Sequence, residues 1–150
     1  MTSFFPDLNV WLALSDTGHS HSPNAWQWLN QVPRNALLVF SRYTQVGLLR
    51  LLTNTAVMNE YTLTVRNAWH TYDRWLDDPR VQFHPDPRNF DAAFRQATEP
   101  FAAQRASKWI GDCYLLAFAK ESEATLVTFD KALASLARKL DCPVIIPAQT

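Results

Sequence analysis

Short apolar runs alternate with longer amphipathic stretches along the chain, which predicts strands separated by helices. The strand-like runs are 2–5, 36–40 (ALLVF), 81–84, 125–129 (TLVTF) and 144–146. Pro6 ends the first, and Pro79 and Pro85 bracket the third, because proline has no N–H to give a ladder. Helical spacing of apolar residues predicts helices over 8–14, 24–32, 42–53, 64–76, 90–97, 107–120 and 131–140. Ser41 is placed to cap the helix that follows it. Residues 16–23 read as a polar turn and 54–61 as a loop. On helix 64–76, Val65, Ala68, Trp69, Tyr72 and Leu76 form one stripe, expected to face a core.

Strands joined through helices imply right-handed crossovers and a mainly parallel sheet covered on both faces, an α/β architecture. In such sheets ligands bind at the carboxyl ends of the strands. Two acids lie there: Asp7 after the first strand and Asp130 after the fourth. A third, Asp112, sits in the helix just before the fourth strand, beside the apolar positions Trp109, Cys113, Leu116 and Ala119. A carboxylate on that side needs a cation, a hydrogen-bond cage or a helix N-terminus, since burying a lone charge is very costly. Clustered oxygen ligands without thiolates suit Mg²⁺ or Mn²⁺, which activate water and take up charge on a scissile phosphate. Each Asp taken singly also reads as a helix N-cap, and Asp can cap and ligate at once.

Composition changes this picture little. The 150 residues, 47% of them hydrophobic, suffice for a core and are read as one domain spanning 1–150. Two cysteines give no disulfide framework, so a reduced, cytoplasmic setting is expected. Asp7 interrupts the first apolar run and no basic stretch precedes it, so no secretory leader is expected, and no run is long enough for a membrane span. The formal net charge is zero, which gives no bulk field for nucleic acid. With three Asp set aside around a metal, 14 cations face 11 acids, leaving +3, and ten of the cations are Arg.

The ordered set of motifs resembles the PIN-domain nucleases, and within them the VapC-type toxins. Pro6-Asp7-Leu8-Asn9-Val10-Trp11-Leu12 resembles their first acidic motif, and Gly111-Asp112-Cys113-Tyr114-Leu115-Leu116-Ala117 the third. Thr125-Leu126-Val127-Thr128-Phe129-Asp130 resembles the fourth, in which a Thr two residues before the Asp is usual. The stretch 42–54 resembles the second-motif region, but Gln45 stands where a Glu is common. The resemblance implies a three-layer α/β/α PIN fold and a Mg²⁺- or Mn²⁺-dependent ribonuclease with Asp7, Asp112 and Asp130 as ligands. It assigns Asn9, Gln45 and Thr128 the task of orienting carboxylates or water. It further implies an RNA substrate, often a structured tRNA or rRNA loop, a VapB-type antitoxin that blocks the site, and a homodimer.

Other polar and aromatic residues carry less. His19 and His21 lack further ligands at zinc spacing and read as a solvated turn. His70 and His84 read as structural, and Cys113, with nothing basic beside it, as a core thiol. Trp11 and Trp109 are expected in the core, while Trp26, Trp28, Trp69 and Trp75 divide between core and a groove or dimer surface. Arg50 either pairs with an acid or phosphate, or lays its stem along leucines. Two rival readings remain: a PIN fold that binds RNA or protein without useful catalysis, favoured by Gln45, and a haloacid-dehalogenase-type phosphotransferase. The second lacks its Asp-x-Asp, since the run here is Asp7-Leu8-Asn9.

Overall fold

Alternation of side chains along three of the central strands divides the core into two halves. Phe4, Leu38, Phe40 and Val127 point to one face of the sheet, and Phe5, Val39 and Leu126 to the other. The computed structural model describes residues 2–148. Its five strands are β1 (Ser3–Pro6), β2 (Leu37–Phe40), β3 (Val81–Phe83), β4 (Thr125–Val127) and β5 (Val144–Ile145). They form one sheet in the order β3-β2-β1-β4-β5, and every pairing is parallel.

The first face is covered by α1 (Leu8–Ser15), α2 (Ser22–Gln31), α3 (Arg42–Leu52), the short α4 (Thr55–Met58) and α5 (Val65–Leu76). The second is covered by α6 (Phe90–Thr98), α7 (Ser107–Glu121) and α8 (Lys131–Lys139). This is the three-layer, parallel α/β/α arrangement that the pattern predicts, with element ends within one or two residues of expectation. No helix among the described residues is long and apolar enough to cross a membrane.

Three expectations need correction. The segment 54–61 is not a plain loop: Asn54 caps α4 through its side chain, and a 3-10 turn follows at Asn59–Tyr61. The stripe on α5 is only half used. Ala68 and Tyr72 are buried, but Val65 is 66% exposed and Trp69 42%, and Leu76 is also exposed. Trp109 is not a core residue. It lies near the start of α7, half-buried, stacked on Phe101 with the Lys108 ammonium over its ring.

α1 and α3 approach closely because Gly47 presents no side chain between them. A Cβ at this position would lie 2.1 Å from Cδ2 of Leu8. Gly47→Ala gains about 1 kcal/mol of helix propensity but forces Leu8 aside, and overpacking costs about 1–3 kcal/mol. The expected result is a lower urea midpoint at unchanged slope; a midpoint equal to the wild type's would show that Leu8 repacks freely.

Candidate active site

The strand order reverses direction between β1 and β4, and this switch point is where the acids gather. Continuing the strand registers one step past the sheet aligns His84, Ser41, Asp7 and Thr128 in a row at its carboxyl edge. The backbone N–H of Asp7 donates to the carbonyl of Val127 (2.9 Å), which ties the end of β1 to β4.

Asp7 is 5% exposed and caps α1. Its Oδ1 accepts from the backbone N–H groups of Asn9 (3.0 Å) and Val10 (3.1 Å), and its Oδ2 accepts from the Thr128 hydroxyl. Thr128 Oγ1 in turn accepts from the backbone N–H of Asp130 (3.0 Å). The hydroxyl proton is thereby aimed at Asp7, which explains in physical terms why a Thr stands two residues before an acid here. Despite these three hydrogen bonds, burial pushes the Asp7 carboxyl up to about 6, and the negative charge of Asp130 adds to the shift.

Asp130 is exposed and caps α8, its Oδ1 accepting from the N–H groups of Ala132 (2.9 Å) and Leu133 (3.1 Å). Asp112 does not cap. It lies inside α7, half-buried, with no hydrogen-bond donor among the described residues. Burial first, and then the charge of Asp130, pushes its carboxyl up to about 6, with Lys108 one turn away opposing. Both caps therefore coexist with an unneutralised acidic cluster, and the third Asp has no structural duty that accounts for it.

The three residues assigned to orienting roles divide. Thr128 joins Asp7 to Asp130. Asn9 contributes its backbone N–H, while its side chain is exposed and makes no hydrogen bond among the described residues. Gln45 is buried, and its side-chain oxygen accepts from Arg42 Nη1 (2.6 Å), not from any group of the acids' row.

Several further residues gather at this edge. An added Cβ at Gly111 would lie 2.4 Å from the Tyr43 hydroxyl, so this glycine lets the Tyr43 ring lie against α7 beside Asp112. A glycine inside a helix just before an acid was the available sign of such an approach. Tyr114 donates to Asp86 Oδ1 (2.9 Å), and its ring lies tilted against that of Tyr43. His21 is exposed as expected, yet its ring stacks on Phe129, between Thr128 and Asp130, with centroids 4.3 Å apart.

Residues 4–139 match the family model for the PIN domain, a span that contains all three acids. The chain belongs to the PIN-domain family. The PIN domain is 39% identical over 132 residues to Ribonuclease VapC41 of Mycobacterium tuberculosis, a match covering 84% of this chain and 88% of that protein. The fold resembles VapBC-1 from nontypeable Haemophilus influenzae, with a TM-score of 0.67 and 12% identity, over 99% of this chain and all of the other. It also resembles VapC20 of Mycobacterium tuberculosis, a sarcin-ricin loop cleaving toxin, with a TM-score of 0.63 and 17% identity, over 88% and 93% of the two chains.

In this PIN domain the three carboxylates are oxygen donors of the type that a hard divalent cation takes. Two of the three carboxylates are held near a pKa of 6 by burial and by the third, and no Arg or Lys forms an ion pair with any of them among the described residues. Among the described residues no three His, Cys, Asp or Glu side chains are gathered closely enough to hold a metal ion.

Proposed function

We propose that this PIN domain is the ribonuclease toxin of a VapBC-type pair and hydrolyses RNA phosphodiester bonds with Mg²⁺ or Mn²⁺ held by Asp7, Asp112 and Asp130. The observation that carries the reading is the un-neutralised acidic cluster at the switch point of the sheet. A bound ion supplies a Lewis acid that lowers the pKa of water and takes up charge on the phosphate. The chain supplies the frame: Thr128 fixes Oδ2 of Asp7, the two caps fix the Asp7 and Asp130 side chains, and α7 delivers Asp112. A non-catalytic binding module has no need of three acids kept at this cost in charge repulsion. A cytoplasmic location follows from an RNA substrate and two free, buried cysteines.

Cleavage of bulk tRNA and rRNA tests the reading. Wild type should cut in Mn²⁺ or Mg²⁺ and not in chelator, and Asp7→Asn, Asp112→Asn and Asp130→Asn should each lose about hundredfold or more. Equal cleavage by all three variants would discard it. Protons compete with the cation for the same carboxylates, so Mn²⁺ affinity should fall as pH drops through about 6. Calorimetric titration giving the same affinity at pH 5 and pH 7.5 would remove Asp7 and Asp112 from the ligand set.

The partner is a VapB-type antitoxin, and the working form is a homodimer. Family membership supports this, as do the exposed apolar side chains Val57, Tyr61, Val65, Trp69 and Leu76, which run from α4 along α5. Asp and Lys substitutions along this run should abolish one of the two assemblies in size-exclusion light scattering.

A further inference from the structure

Arg42 follows Ser41, which the strand register sets one strand away from Asp7, so Arg42 starts α3 at the same carboxyl edge of the sheet. Its side chain is exposed at the residue level yet held in place. The guanidinium lies 4.4 Å from the centroid of the Phe83 ring, and Nη1 donates to Oε1 of Gln45. Gln45 is itself buried. No carboxylate pairs with Arg42: the ion pairs among the described residues are Arg80–Asp78 and Arg95–Asp91. This is a cation with a preset geometry, held only by neutral groups, over the edge strand β3 at the carboxyl end of the sheet.

We propose that Arg42 binds a backbone phosphate of the RNA substrate, and that Gln45 is the positioning residue that holds the guanidinium without neutralising it. The proposal rests on the ribonuclease reading above. A guanidinium carries five N–H donors, and Gln45 occupies one, so a free fork remains for two phosphate oxygens. Stacking on Phe83 removes rotamer freedom before substrate arrives, which lowers the ordering cost of binding. The acids repel RNA, so a cation at the same sheet edge offsets that repulsion where the strand must approach. A glutamate at position 45 would pair with Arg42 and compete with the phosphate. The amide keeps the geometry and leaves the charge for the substrate.

The test is equilibrium binding of fluorescently labelled bulk tRNA and a labelled single-stranded RNA oligonucleotide to the full chain in chelator, which stops cleavage, over a salt series. Arg42→Ala should weaken binding about five- to tenfold and lower the log–log salt slope by about 0.7–1, the value of one phosphate contact. Arg42→Lys, which keeps charge but loses the fork, should restore the slope and only part of the affinity. Gln45→Glu should weaken binding and lower the slope as Arg42→Ala does, although it leaves Arg42 in place. Gln45→Ala should weaken affinity while preserving the slope. Wild-type slope and affinity in Arg42→Ala, or in Gln45→Glu, overturn the proposal while leaving the ribonuclease reading intact. Absence of RNA binding and cleavage by the wild type overturns both.

Discussion

In chelator at pH 8, Asp7→Asn is expected to unfold at higher urea than the wild type while its RNA cleavage in Mn²⁺ is lost. The Asp7 carboxyl is 5% exposed and pushed from 3.8 up to about 6 by burial, against the pull of its three hydrogen bonds. Its folded-state pKa exceeds the unfolded value, so between the two the native state binds a proton that the unfolded state does not. Ionisation therefore opposes folding fully above about 6; the penalty shrinks as pH falls and is gone below 3.8. A shift from 3.8 to about 6 corresponds to roughly 3 kcal/mol, an upper value for what the neutral amide recovers. Asn keeps an oxygen for the N–H groups of Asn9 and Val10 but cannot accept the Thr128 proton on its nitrogen, which takes back part of the gain. The wild-type and Asp7→Asn stability curves should thus separate above pH 6 and converge towards pH 4. Parallel curves over that range would mean that the Asp7 charge costs the fold nothing. A buried acid of the candidate site that destabilises its own fold is the stability–activity conflict expected at a functional position.

Much of this site was legible because it lies on the regular parts of the fold. A parallel strand buried on both faces reads as an unbroken apolar run, and the residue after it lies at the carboxyl edge whatever the loop does. Asp7 and Asp130 were therefore locatable from 2–5 and 125–129 alone. Asp112 was locatable because a lone acid among Cys113, Leu116 and Ala119 contradicts its helix face. The stripe on α5 failed in an informative way. Helical period tells which side of α5 is apolar, but not whether this chain supplies the cover, and Val65, Trp69 and Leu76 remain exposed. Trp109 was placed in the core because it continues the spacing of Cys113 and Leu116, but it lies in the first turn of α7, where the helix runs past the edge of its neighbours.

Gln45 marks the limit of such reading. It shares a helical spacing with Leu48 and Leu52, and all three are buried. It does not tell which buried partner the amide meets, because that depends on the packing of α3 against α5 and on a contact with Tyr72, 27 positions away. Arg42 was invisible for the same reason: its ring contact, Phe83, comes from β3.

Trp11→Ala is expected to be among the most damaging single substitutions for the fold, and to reach the site through packing. Trp11 is fully buried, stacked on Phe40 at 3.9 Å between centroids and 14° between planes, with Trp75 against it edge-on. Trp75 is anchored in turn by its indole N–H, which donates to the Ser15 hydroxyl at the end of α1 (2.9 Å). Truncating a buried Trp costs about 3–5 kcal/mol, a large fraction of the stability of an ordinary domain. The backbone N–H of Trp11 closes the first turn of α1 onto the carbonyl of Asp7 (3.2 Å), so loosening this turn also loosens the cap that aims the carboxyl. Cleavage should fall even at temperatures where the variant is folded. Trp11→Phe separates the ring from its polar atom. The indole Nε1 is buried with no hydrogen-bond partner among the described residues, so Phe loses volume but also removes an unsatisfied donor, worth about 1–3 kcal/mol. The stacking partner Phe40 keeps an aromatic neighbour. Trp11→Phe should therefore cost no more than about 2 kcal/mol in urea unfolding and retain most cleavage. If Trp11→Phe proves as costly as Trp11→Ala, the indole N–H is satisfied in solution, and the stability of α1 depends on that hydrogen bond as well as on the stack.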